Sequence, residues 1–442
     1  MSKRRSRPLS RRKPDDIVAH ARGKQVRVDE LLGRASALAA TLPDRPYVIN
    51  LCSNRYEFLL GFCAAVMAGQ CTLMPPNRQA ATLQRVADGY AGCYVLGAGA
   101  VEELETIPIG ALPEALRASA PLVPDDQLCA IVFTSGSTGE SLPNHKFWRT
   151  LRVGADGSAR LLRPYLARPL NVLATVPPQH MWGFETSILL PLFAGVAVSE
   201  LTPLFPQDIF DALAALPRPR ALISSPVHLS AFLDGEVGEI AIDYVFTATA
   251  PMPLVTAERL ESRHGALVID IFGSSESGIM AARRQTLDET WTLADAFELR
   301  VEGSKTWLSA EHLGDRVLLN DRVETLGNGR FRLFGRDQDM LNIAGKRGSL
   351  ADLNQRLGTI PGVEDGVIFQ PGADAKRLAA LVVAPSLKAS DILNALRDGV
   401  DPAFLPRPVY LVPALPRQET GKLPRRAVLD LFAAIRQQRR AT

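Results

Sequence analysis

Short apolar runs and amphipathic stretches alternate along the N-terminal part of the chain. Apolar positions recur at helical spacing from Asp29 to Leu42 and from Tyr56 to Ala68. The β-like runs around and beyond them are YVINL, QCTLM, YVLG, NVLATV, ALISS, DYVFTAT and ALVIDIF. Strands joined by helices are typical of a mainly parallel sheet, whose ligands bind at the carboxyl ends of the strands. The pattern therefore predicts an α/β fold.

A different pattern begins near Arg336. A hairpin-like stretch leads to a capped helix at SLADLNQRL, and strand-like VIFQ and RLAALVVAP then precede a helix that begins at Ser390. This order predicts a small α+β domain. We therefore expect a large N-terminal domain of mixed or parallel sheets wrapped by helices at residues 21–335, followed by a small C-terminal domain at residues 336–442.

The first residues, MSKRRSRPLSRRK, are dense in Arg and Lys and include a twin-arginine pair. Because no apolar region follows them, they do not predict an export signal. We expect residues 1–20 to form a disordered basic tail, either solvated or in contact with RNA or an acidic protein. The longest apolar run, Phe58 to Gly69, is shorter than the ~20 residues of a membrane span and predicts a buried helix.

The composition limits the classes of partner. With 46% hydrophobic residues, the 442-residue chain can bury more than one core. Its formal net charge of +3 gives no argument for a nucleic-acid partner, so small molecules are the expected ligands. The cysteines form no CxxC pair and have no histidine at metal-ligand spacing, which fits the reducing cytoplasm. They are Cys52, Cys63, Cys71, Cys93 and Cys129.

A loop of glycines and hydroxyl residues follows the apolar run CAIVF, in the sequence TSGSTGESLPNHK. Glycines let backbone N–H groups converge on phosphate oxygens, and the hydroxyls add donors, although a plain surface turn is the alternative. It is not a Walker loop, because GxxxxGK followed by Ser or Thr occurs neither here nor at Gly421. The candidate anion-binding residues are Thr134, Ser135, Gly136, Ser137, Thr138, Gly139 and Lys146.

The stretch FTSGSTG resembles the signature loop of the adenylate-forming superfamily of acyl-CoA synthetases, adenylation domains and luciferases. Further motifs follow in the order of that superfamily, from about Asn54 to Arg426. The resemblance implies an enzyme that uses ATP and Mg²⁺ to activate a small carboxylic acid as an acyl-AMP, and then passes the acyl group to a thiol. It also implies that the small domain is mobile and turns about a hinge between the two half-reactions.

The substrate and adenine motifs of the superfamily have counterparts in the middle of the chain. VPPQHMWGFE resembles the acid gate, with His180 and Trp182 near the carboxylate and Gly183 allowing close approach. An ordinary core role for His180 is the alternative. FTATAP and IDIFGSSESG resemble the segments on either side of adenine, with Phe272 stacked on the base and Ser275 where Thr is usual. The remaining residues implied in nucleotide binding are Thr249, Ala250, Pro251, Gly273 and Ser274, and those implied in the acid pocket are Ser225 and Gly278.

Two residues carry the strongest chemical expectations. Glu276 follows the adenine motif, and a carboxylate beside a triphosphate acts through Mg²⁺, although an exposed acid or a helix cap is the alternative. LPRQETGKLPRR resembles the C-terminal catalytic signature, whose lysine would be Lys422. Its ammonium would stabilise the negative charge that develops as the carboxylate attacks the α-phosphorus, whereas a solvated surface lysine is the alternative. The resemblance implies the catalytic set Lys422, Glu276, Thr134 and His180.

The ribose and hinge motifs are implied within LLNDRVETLGNGRFRLFGRDQDMLNIAGKRGSL. Counting back from the GR pair gives Asp321 as the ribose-binding carboxylate and Arg336 as a further donor. The usual TGD is LND here, so Asp315 in LGD is kept as the fallback. Gln338 stands at a hinge position that is commonly Asp or Lys, and Gly345 would lie near the tunnel for the thiol.

A finer resemblance rests on FTSGSTG with Lys146 and Trp148 downstream, together with NRYEFLLGFCAAVMAGQCTLMPPNR. These stretches are similar to the AMP-ligases of aryl-polyene and xanthomonadin-type pigment clusters. That resemblance implies an aryl or fatty acid loaded on the phosphopantetheine of an acyl carrier protein or on CoA. A catabolic acyl- or aryl-CoA synthetase and a non-catalytic ATP-binding relative stay open, and the oligomeric state is not predicted.

Two other enzyme classes fail on spacing. GAGAVEE lacks the GxGxxG pattern of a nicotinamide oxidoreductase. FGSSESG lacks the GxSxG spacing of a serine hydrolase.

Overall fold

The computed structural model describes residues 5–98, 104–110, 116–135, 141–166, 169–235, 237–303, 305–336, 340–343, 346–372, 375, 377–397, 400–418, 421 and 423–441. The first part of the chain forms β1 (Ser6–Pro8), β2 (Ile17–Ala21), β3 (Lys24–Arg27), α1 (Val28–Ala39), β4 (Tyr47–Asn50), α2 (Arg55–Met67), β5 (Cys71–Met74), α3 (Ala80–Asp88), β6 (Tyr94–Leu96), β7 (Thr106–Ile107), β8 (Leu122–Pro124), β9 (Leu128–Ser135), β10 (Ser141–Phe147), α4 (Trp148–Leu161), β11 (Leu170–Ala174), α5 (Met181–Phe184), a π-helical turn (Glu185–Leu189), α6 (Leu190–Phe193) and β12 (Val196–Ser199).

The middle part forms α7 (Pro206–Ala214), β13 (Arg220–Ser224), α8 (Pro226–Asp234), β14 (Tyr244–Thr247), α9 (Leu254–His264), β15 (Leu267–Ser274), β16 (Gly278–Arg283), β17 (Trp291–Leu293), β18 (Glu298–Glu302), β19 (Lys305–Ser309), β20 (Val317–Leu319), β21 (Asp321–Gly327) and β22 (Arg330–Arg336). The last part forms β23 (Met340–Ile343), β24 (Lys346–Ser349), α10 (Leu350–Gly358), β25 (Asp365–Phe369), β26 (Ala379–Val383), α11 (Ala389–Arg397), a 3₁₀ turn (Pro402–Phe404), β27 (Val409–Leu411) and α12 (Arg425–Ala441).

Two large sheets dominate the described residues. A six-stranded sheet has the order β10-β9-β5-β4-β6-β7, and an eleven-stranded sheet has the order β21-β22-β17-β16-β15-β14-β13-β11-β12-β2-β3. The strands joined by helices pair in parallel, as in β11 with β13 and β13 with β14. Antiparallel hairpins such as β9–β10 and β15–β16 extend the sheets, because strands joined by a short turn must run in opposite directions. The predicted α/β fold is confirmed.

Helix α2 is buried on nearly all sides. Eleven of its thirteen residues are buried, as expected for a helix that is apolar all round. Its start is capped by the Asn54 side chain, which accepts the N–H of Glu57 at 3.1 Å. The buried helix predicted from Phe58 onward is therefore confirmed. Among the described residues, no helix is long and apolar enough to cross a membrane.

The N-terminal segment is folded from residue 5, so the predicted disordered tail at 1–20 is wrong for residues 5–20. Strand β1 pairs with β8, and β2 joins the large sheet beside β12. Leu9 is fully buried, and the Arg12 guanidinium donates to three backbone carbonyls. The prediction from charge density was wrong because the Arg12 guanidinium is bound by the carbonyls of Pro191 and Val196, which lie far away along the chain, as well as by that of Ile17.

The C-terminal part is α+β, as its pattern predicted. Strands β25, β26 and β27 form a small sheet, and α10 and α11 pack over a core that includes Leu357 and Ile392. Helix α11 begins at Ala389, one residue before the predicted start at Ser390. The sequence analysis did not predict α12, which packs on the same small sheet through Phe432. The domain boundary at 335/336 stays a prediction and falls within the last residues of β22.

Arg55 ties α2 to the strand end of β11. Its guanidinium donates to the carbonyl oxygens of Ala174 at 2.9 Å and Val176 at 2.7 Å, and to Ser187 Oγ at 2.5 Å. The side chain is fully buried, and this burial lowers the pKa of Arg55 to about 9. Arg55 thus fixes the start of the loop that leaves β11.

Replacing Arg55 with Met should lower the free energy of unfolding by roughly 1–3 kcal/mol, because the carbonyls of Ala174 and Val176 would stay buried without this donor. Chemical denaturation of the full chain measures the change. Arg22→Met is the matched control, because Arg22 is exposed and pairs with Glu57 at the surface. Equal losses in the two variants would contradict the role given to Arg55.

Candidate functional site

The predicted phosphate loop lies between the paired strands β9 and β10. The chain leaves β9 at Ser135 and returns in β10 at Ser141, its register partner. Gly136, Ser137, Thr138 and Gly139 lie outside the described residues, and Thr134 and Ser135 are described by their backbone alone. The loop therefore connects two hydrogen-bonded strands, and its binding of phosphate stays a prediction.

Lys146 lies on β10 and is 3% exposed. Its Nζ donates to the backbone carbonyl oxygen of Glu276 at 3.0 Å. Burial lowers the pKa of Lys146, while the negative charges of Glu185 and Glu276 act in the opposite direction. The sequence analysis assigned Lys146 to a phosphate group, whereas the structure shows the ammonium bound inside the protein. Its contact with phosphate stays a prediction.

Glu276 lies at the tip of the hairpin formed by β15 and β16, which we name the Glu276 hairpin (residues 272–279). Ser274 and Ser277 close its turn, because the Ser277 N–H donates to Ser274 Oγ at 3.1 Å and the two hydroxyls are 3.0 Å apart. A Cβ added at Gly273 would lie 2.4 Å from the carbonyl oxygen of Gly278, so this closure needs glycine. The turn presents the exposed Glu276 carboxylate at its tip.

The residues predicted at adenine lie at the ends of β14 and β15. Phe272 is half-buried, and its ring centroid lies 5.6 Å from that of Trp291 and 6.2 Å from that of Phe331. Thr249 has φ +80°, a rare conformation for a β-branched residue. The predicted adenine segment Thr249, Ala250 and Pro251 is exposed or half-exposed at the strand end. Stacking of Phe272 on a base stays a prediction.

The two candidates for the ribose-binding carboxylate, Asp321 and Asp315, lie in different parts of the structure. Asp321 is the cross-strand register partner of Arg336 in the antiparallel β21–β22 pair. Asp315 is exposed in the turn before β20, which belongs to another sheet. The structure thus brings together the pair found by counting from GR and leaves the fallback apart. Gln338 and Gly345 lie outside the described residues.

The predicted acid gate, VPPQHMWGFE, runs from the end of β11 through α5 to Glu185, and we name its residues 176–184 the gate segment. His180 is half-buried and precedes the first residue of α5, while Trp182 is buried. A Cβ added at Gly183 would lie 2.1 Å from the carbonyl oxygen of Pro177. Glycine is therefore required by the packing of the loop on the helix, and its approach to a substrate stays a prediction.

Glu185 is the last residue of the predicted gate motif and comes directly after the gate segment, but the sequence analysis gave it no role of its own. Its two carboxylate oxygens accept the N–H of Ile279 at 3.1 and 3.0 Å. Burial raises the pKa of Glu185 to about 7, opposed by the bond from Ile279 and by the charge of Lys146. A single acid within the apolar run GFETSILLPLF was the available signal.

The segment before Lys422 lies against the predicted acid pocket. A Cβ added at Gly421 would lie 3.1 Å from the Oγ of Ser225, which is fully buried at the start of α8. Arg417 supports this segment: its Nη1 donates to the Gly421 carbonyl at 2.8 Å, and its guanidinium holds both oxygens of Asp365. Lys422 itself lies outside the described residues.

Metal ligands do not cluster among the residues that the structure describes. In the part of the chain that the structure describes, no three His, Cys, Asp or Glu side chains are grouped to hold one. A groove of about 380 Å³ lies elsewhere, between α1, α2 and residues 118–127, and none of the predicted site residues lines it. The exposed Glu276 carboxylate, the Phe272 ring and the paired positions Asp321 and Arg336 lie at strand ends of the large sheet, and their binding of a nucleotide with Mg²⁺ stays a prediction.

The chain is similar to known proteins in both sequence and fold. Residues 8–297 match the family model described as AMP-binding enzyme. The chain is 27% identical to a 4-coumarate–CoA ligase of Cereibacter sphaeroides over 66% of this chain and 69% of that protein. It is 25% identical to an anthranilate–CoA ligase of Pseudomonas aeruginosa over 93% of each. The fold resembles ATP-bound MatB from Rhodopseudomonas palustris, with a TM-score of 0.81, 18% identity and coverage of 96% and 97% of the two chains. The chain belongs to the AMP-binding enzymes.

Proposed function

We propose that this enzyme is an acid–thiol ligase, which forms an acyl-AMP from ATP and a carboxylic acid and then transfers the acyl group to a thiol. The observation that carries the proposal is the close approach of Gly421 to Ser225, since a Cβ added at Gly421 would lie 3.1 Å from Ser225 Oγ. This close approach joins the segment that bears Lys422 to the predicted acid pocket. The names of the relatives, which are CoA ligases of 4-coumarate and anthranilate, support the same reaction.

In the first step, a carboxylate oxygen of the acid attacks the α-phosphorus of ATP, and the bond to the pyrophosphate oxygen breaks. Negative charge grows on the α-phosphate oxygens, and Lys422 stabilises it where it develops. Gly421 has φ +77° and packs on Ser225, so the chain can turn sharply just before the lysine. The Arg417–Asp365 pair fixes the base of this turn.

Glu276 is suited to be a ligand of Mg²⁺ in the proposed complex. Its carboxylate is exposed at the tip of a hairpin whose backbone is held by Lys146. Mg²⁺ commonly takes one or two carboxylates, with phosphate oxygens and water completing the coordination, so a larger protein cluster is unnecessary. The bound ion would neutralise charge on the leaving pyrophosphate.

We assign nucleotide binding to the strand ends around this hairpin. Phe272 stacks on adenine, Thr249 lies at the edge of the base, and Asp321 and Arg336 bind the ribose hydroxyls. The Asp321–Arg336 register supports the last assignment, because both positions meet on one edge of the large sheet. The hydroxyls and N–H groups of residues 134–139 bind the phosphates.

For the second step, we assign the body up to residue 335 to binding ATP and acid, and residues 336–442 to a cap that turns about a hinge near Gln338. The thiol then attacks the acyl carbonyl, and AMP leaves. Burial of all the cysteines as free thiols supports a reducing, cytoplasmic location.

An aryl acid is the proposed substrate, with a fatty acid as the second candidate. Trp182 lies in a buried cluster with Phe246 and Ile271, at the ends of the strands that lead to the site. Aromatic side chains stack favourably on flat rings, so the buried Trp182 in the predicted gate supports an aryl acid. We further propose the aryl-polyene or xanthomonadin type of ligase, with an acyl carrier protein as acceptor and CoA as the alternative.

Pyrophosphate release tests the proposal. The enzyme, ATP and Mg²⁺ are incubated with hydroxybenzoates, cinnamates and fatty acids, each with CoA or a phosphopantetheinylated carrier protein. Acid-dependent release with at least one acid is expected, and the acylated acceptor identifies the second substrate. If none of the acids causes pyrophosphate release, although the enzyme binds ATP in calorimetry, the proposed function is contradicted.

Lys422→Ala should slow acyl-AMP formation by roughly 100-fold, because the developing charge loses its cation. Thioester formation from supplied acyl-AMP should stay near the wild-type rate. Lys388→Ala is the control, since Lys388 is exposed before α11. Normal acyl-AMP formation by a folded Lys422→Ala enzyme would refute the assignment.

Glu276→Gln should lower kcat/KM for ATP by roughly 100-fold and move half-activation to higher Mg²⁺ concentration, because a neutral amide is a poorer ligand. A Mg²⁺ titration of pyrophosphate release measures both effects. The exposed Glu258 of α9 provides the control Glu258→Gln. An unchanged Mg²⁺ dependence would remove Glu276 from the metal site.

Asp321→Asn should raise KM for ATP by about tenfold, since the amide accepts the ribose hydroxyls less strongly. Asp315→Asn should leave KM unchanged. The Asp321→Asn variant should also have nearly the same KM for 2′-deoxy-ATP as for ATP. If Asp315→Asn has the larger effect, the ribose assignment belongs to the fallback residue.

A further inference from the structure

Three segments that are distant in sequence meet at Glu185. The residue starts the π-helical turn that follows the gate segment. Its carboxylate accepts the N–H of Ile279 on β16, which lies 94 positions away along the chain. Lys146 of β10 lies near enough for its charge to favour the ionised form of Glu185. One buried carboxylate thus contacts the Glu276 hairpin, and the charge of Lys146, on the strand that follows the phosphate loop, stabilises its ionised form.

The π-helical turn is bound to the gate segment by side chains. Thr186 Oγ1 donates to the Trp182 carbonyl at 2.6 Å, and Ser187 Oγ donates to the Gly183 carbonyl at 2.5 Å. Arg55 in turn donates to Ser187. Since a π turn shifts the regular i→i−4 backbone pattern, hydroxyls that take these carbonyls hold the turn and the gate together. A displacement of the gate segment would therefore move Glu185.

The Glu276 hairpin is held on both sides of its tip. Lys146 binds the carbonyl of Glu276, and Glu185 binds the N–H of Ile279 three residues later. Gly278 lies between them with φ +75°, and a Cβ there would lie 2.5 Å from Glu185 Oε1. The carboxylate is therefore packed directly on the hairpin backbone. A shift of Glu185 would move the backbone that carries the Glu276 side chain.

The charges favour a close association of these parts. Glu185 is 4% exposed and Lys146 is 3% exposed, so each charge is largely removed from water. A buried charge is tolerated when an opposite charge and hydrogen-bond donors compensate it. The N–H of Ile279 and the ammonium of Lys146 supply both. If the gate segment separated from the hairpin, the buried Glu185 carboxylate would lose its hydrogen bond from Ile279 and the nearby charge of Lys146.

We propose that Glu185 is a positioning residue that links the gate segment to the Glu276 hairpin, so that a bound acid strengthens the binding of Mg·ATP. The proposal rests on the proposed function, which assigns the acid to the first segment and Mg²⁺ to the second. Glu185 acts through the backbone of Ile279 and touches neither substrate. Binding of the acid orders the gate, the π turn transmits that order, and Glu276 is held where its carboxylate meets the metal.

The test is the effect of one ligand on the affinity for the other. The dissociation constant of Mg²⁺-bound α,β-methylene-ATP, which cannot release pyrophosphate, is measured calorimetrically with and without the saturating acid found by the panel. In the wild-type enzyme, we expect the acid to tighten nucleotide binding by about fivefold. In Glu185→Gln, the ratio of the dissociation constant without acid to that with acid should be close to one. The amide keeps an acceptor for the Ile279 N–H but loses the attraction to Lys146.

Glu261→Gln is the matched control. Glu261 also accepts a backbone N–H across a helix–strand contact, from Val268 at 3.2 Å, and it binds Arg284. This variant should keep the fivefold ratio even if its melting temperature falls. A purely structural role for Glu185 would lower the melting temperature without changing the ratio.

Glu185→Leu removes the acceptor as well as the charge, and its ratio should also be close to one. If that variant does not fold, the nearly isosteric Glu185→Gln decides the question alone. A wild-type ratio of one, or an unchanged ratio in Glu185→Gln, would overturn the proposal. If the enzyme releases pyrophosphate but shows either of these results, the Glu185 proposal fails and the ligase function stands. If no acid causes pyrophosphate release, both the ligase function and the Glu185 proposal fail.

Discussion

Parallel pairing of β11, β13, β14 and β15 is the interaction on which the rest of the site depends. Strands that run in the same direction deliver their carboxyl ends to one edge of the sheet. The gate segment leaves β11, Ser225 follows β13, Thr249 follows β14, and the Glu276 hairpin continues β15. Residues spread over about a hundred positions of sequence thereby reach one edge, and a hydrogen bond between Thr175 and Ser224 at 2.7 Å joins two of these ends.

Buried charge is compensated largely by backbone groups around this edge. Arg55 binds carbonyls near the end of β11, Lys146 binds the carbonyl of Glu276, and Glu185 binds the N–H of Ile279. Each bond joins elements that lie far apart in the chain. Because an unsatisfied charge in a dry interior is costly, these contacts favour a single arrangement of the segments around the site.

The structure also separates the adenylating interpretation from the hydrolase alternative. A nucleophile elbow requires a strand, a sharp turn and a helix. The FGSSESG stretch instead forms a hairpin between β15 and β16, with Ser274 and Ser277 bonded to each other across the turn. These serines stabilise the turn that carries Glu276. Their hydroxyls hydrogen-bond to each other, and Ser274 Oγ accepts the N–H of Ser277. This structural use of the serines agrees with membership in the AMP-binding enzymes.

The sequence by itself determined the local elements and the family. Apolar periodicity located α1 and α2, and short apolar runs located the central strands β4, β5, β6, β9, β11, β13, β14 and β15, because both patterns are local properties. The order of the motifs pointed to adenylate formation, and counting from GR selected Asp321 over Asp315. Only the tertiary structure decided that Leu9 and Arg12 belong to the folded body, that Gly183 is required by Pro177, and that Glu185 supports the Glu276 hairpin. Those outcomes depend on contacts between segments far apart in sequence, whose partners no local pattern of residues specifies.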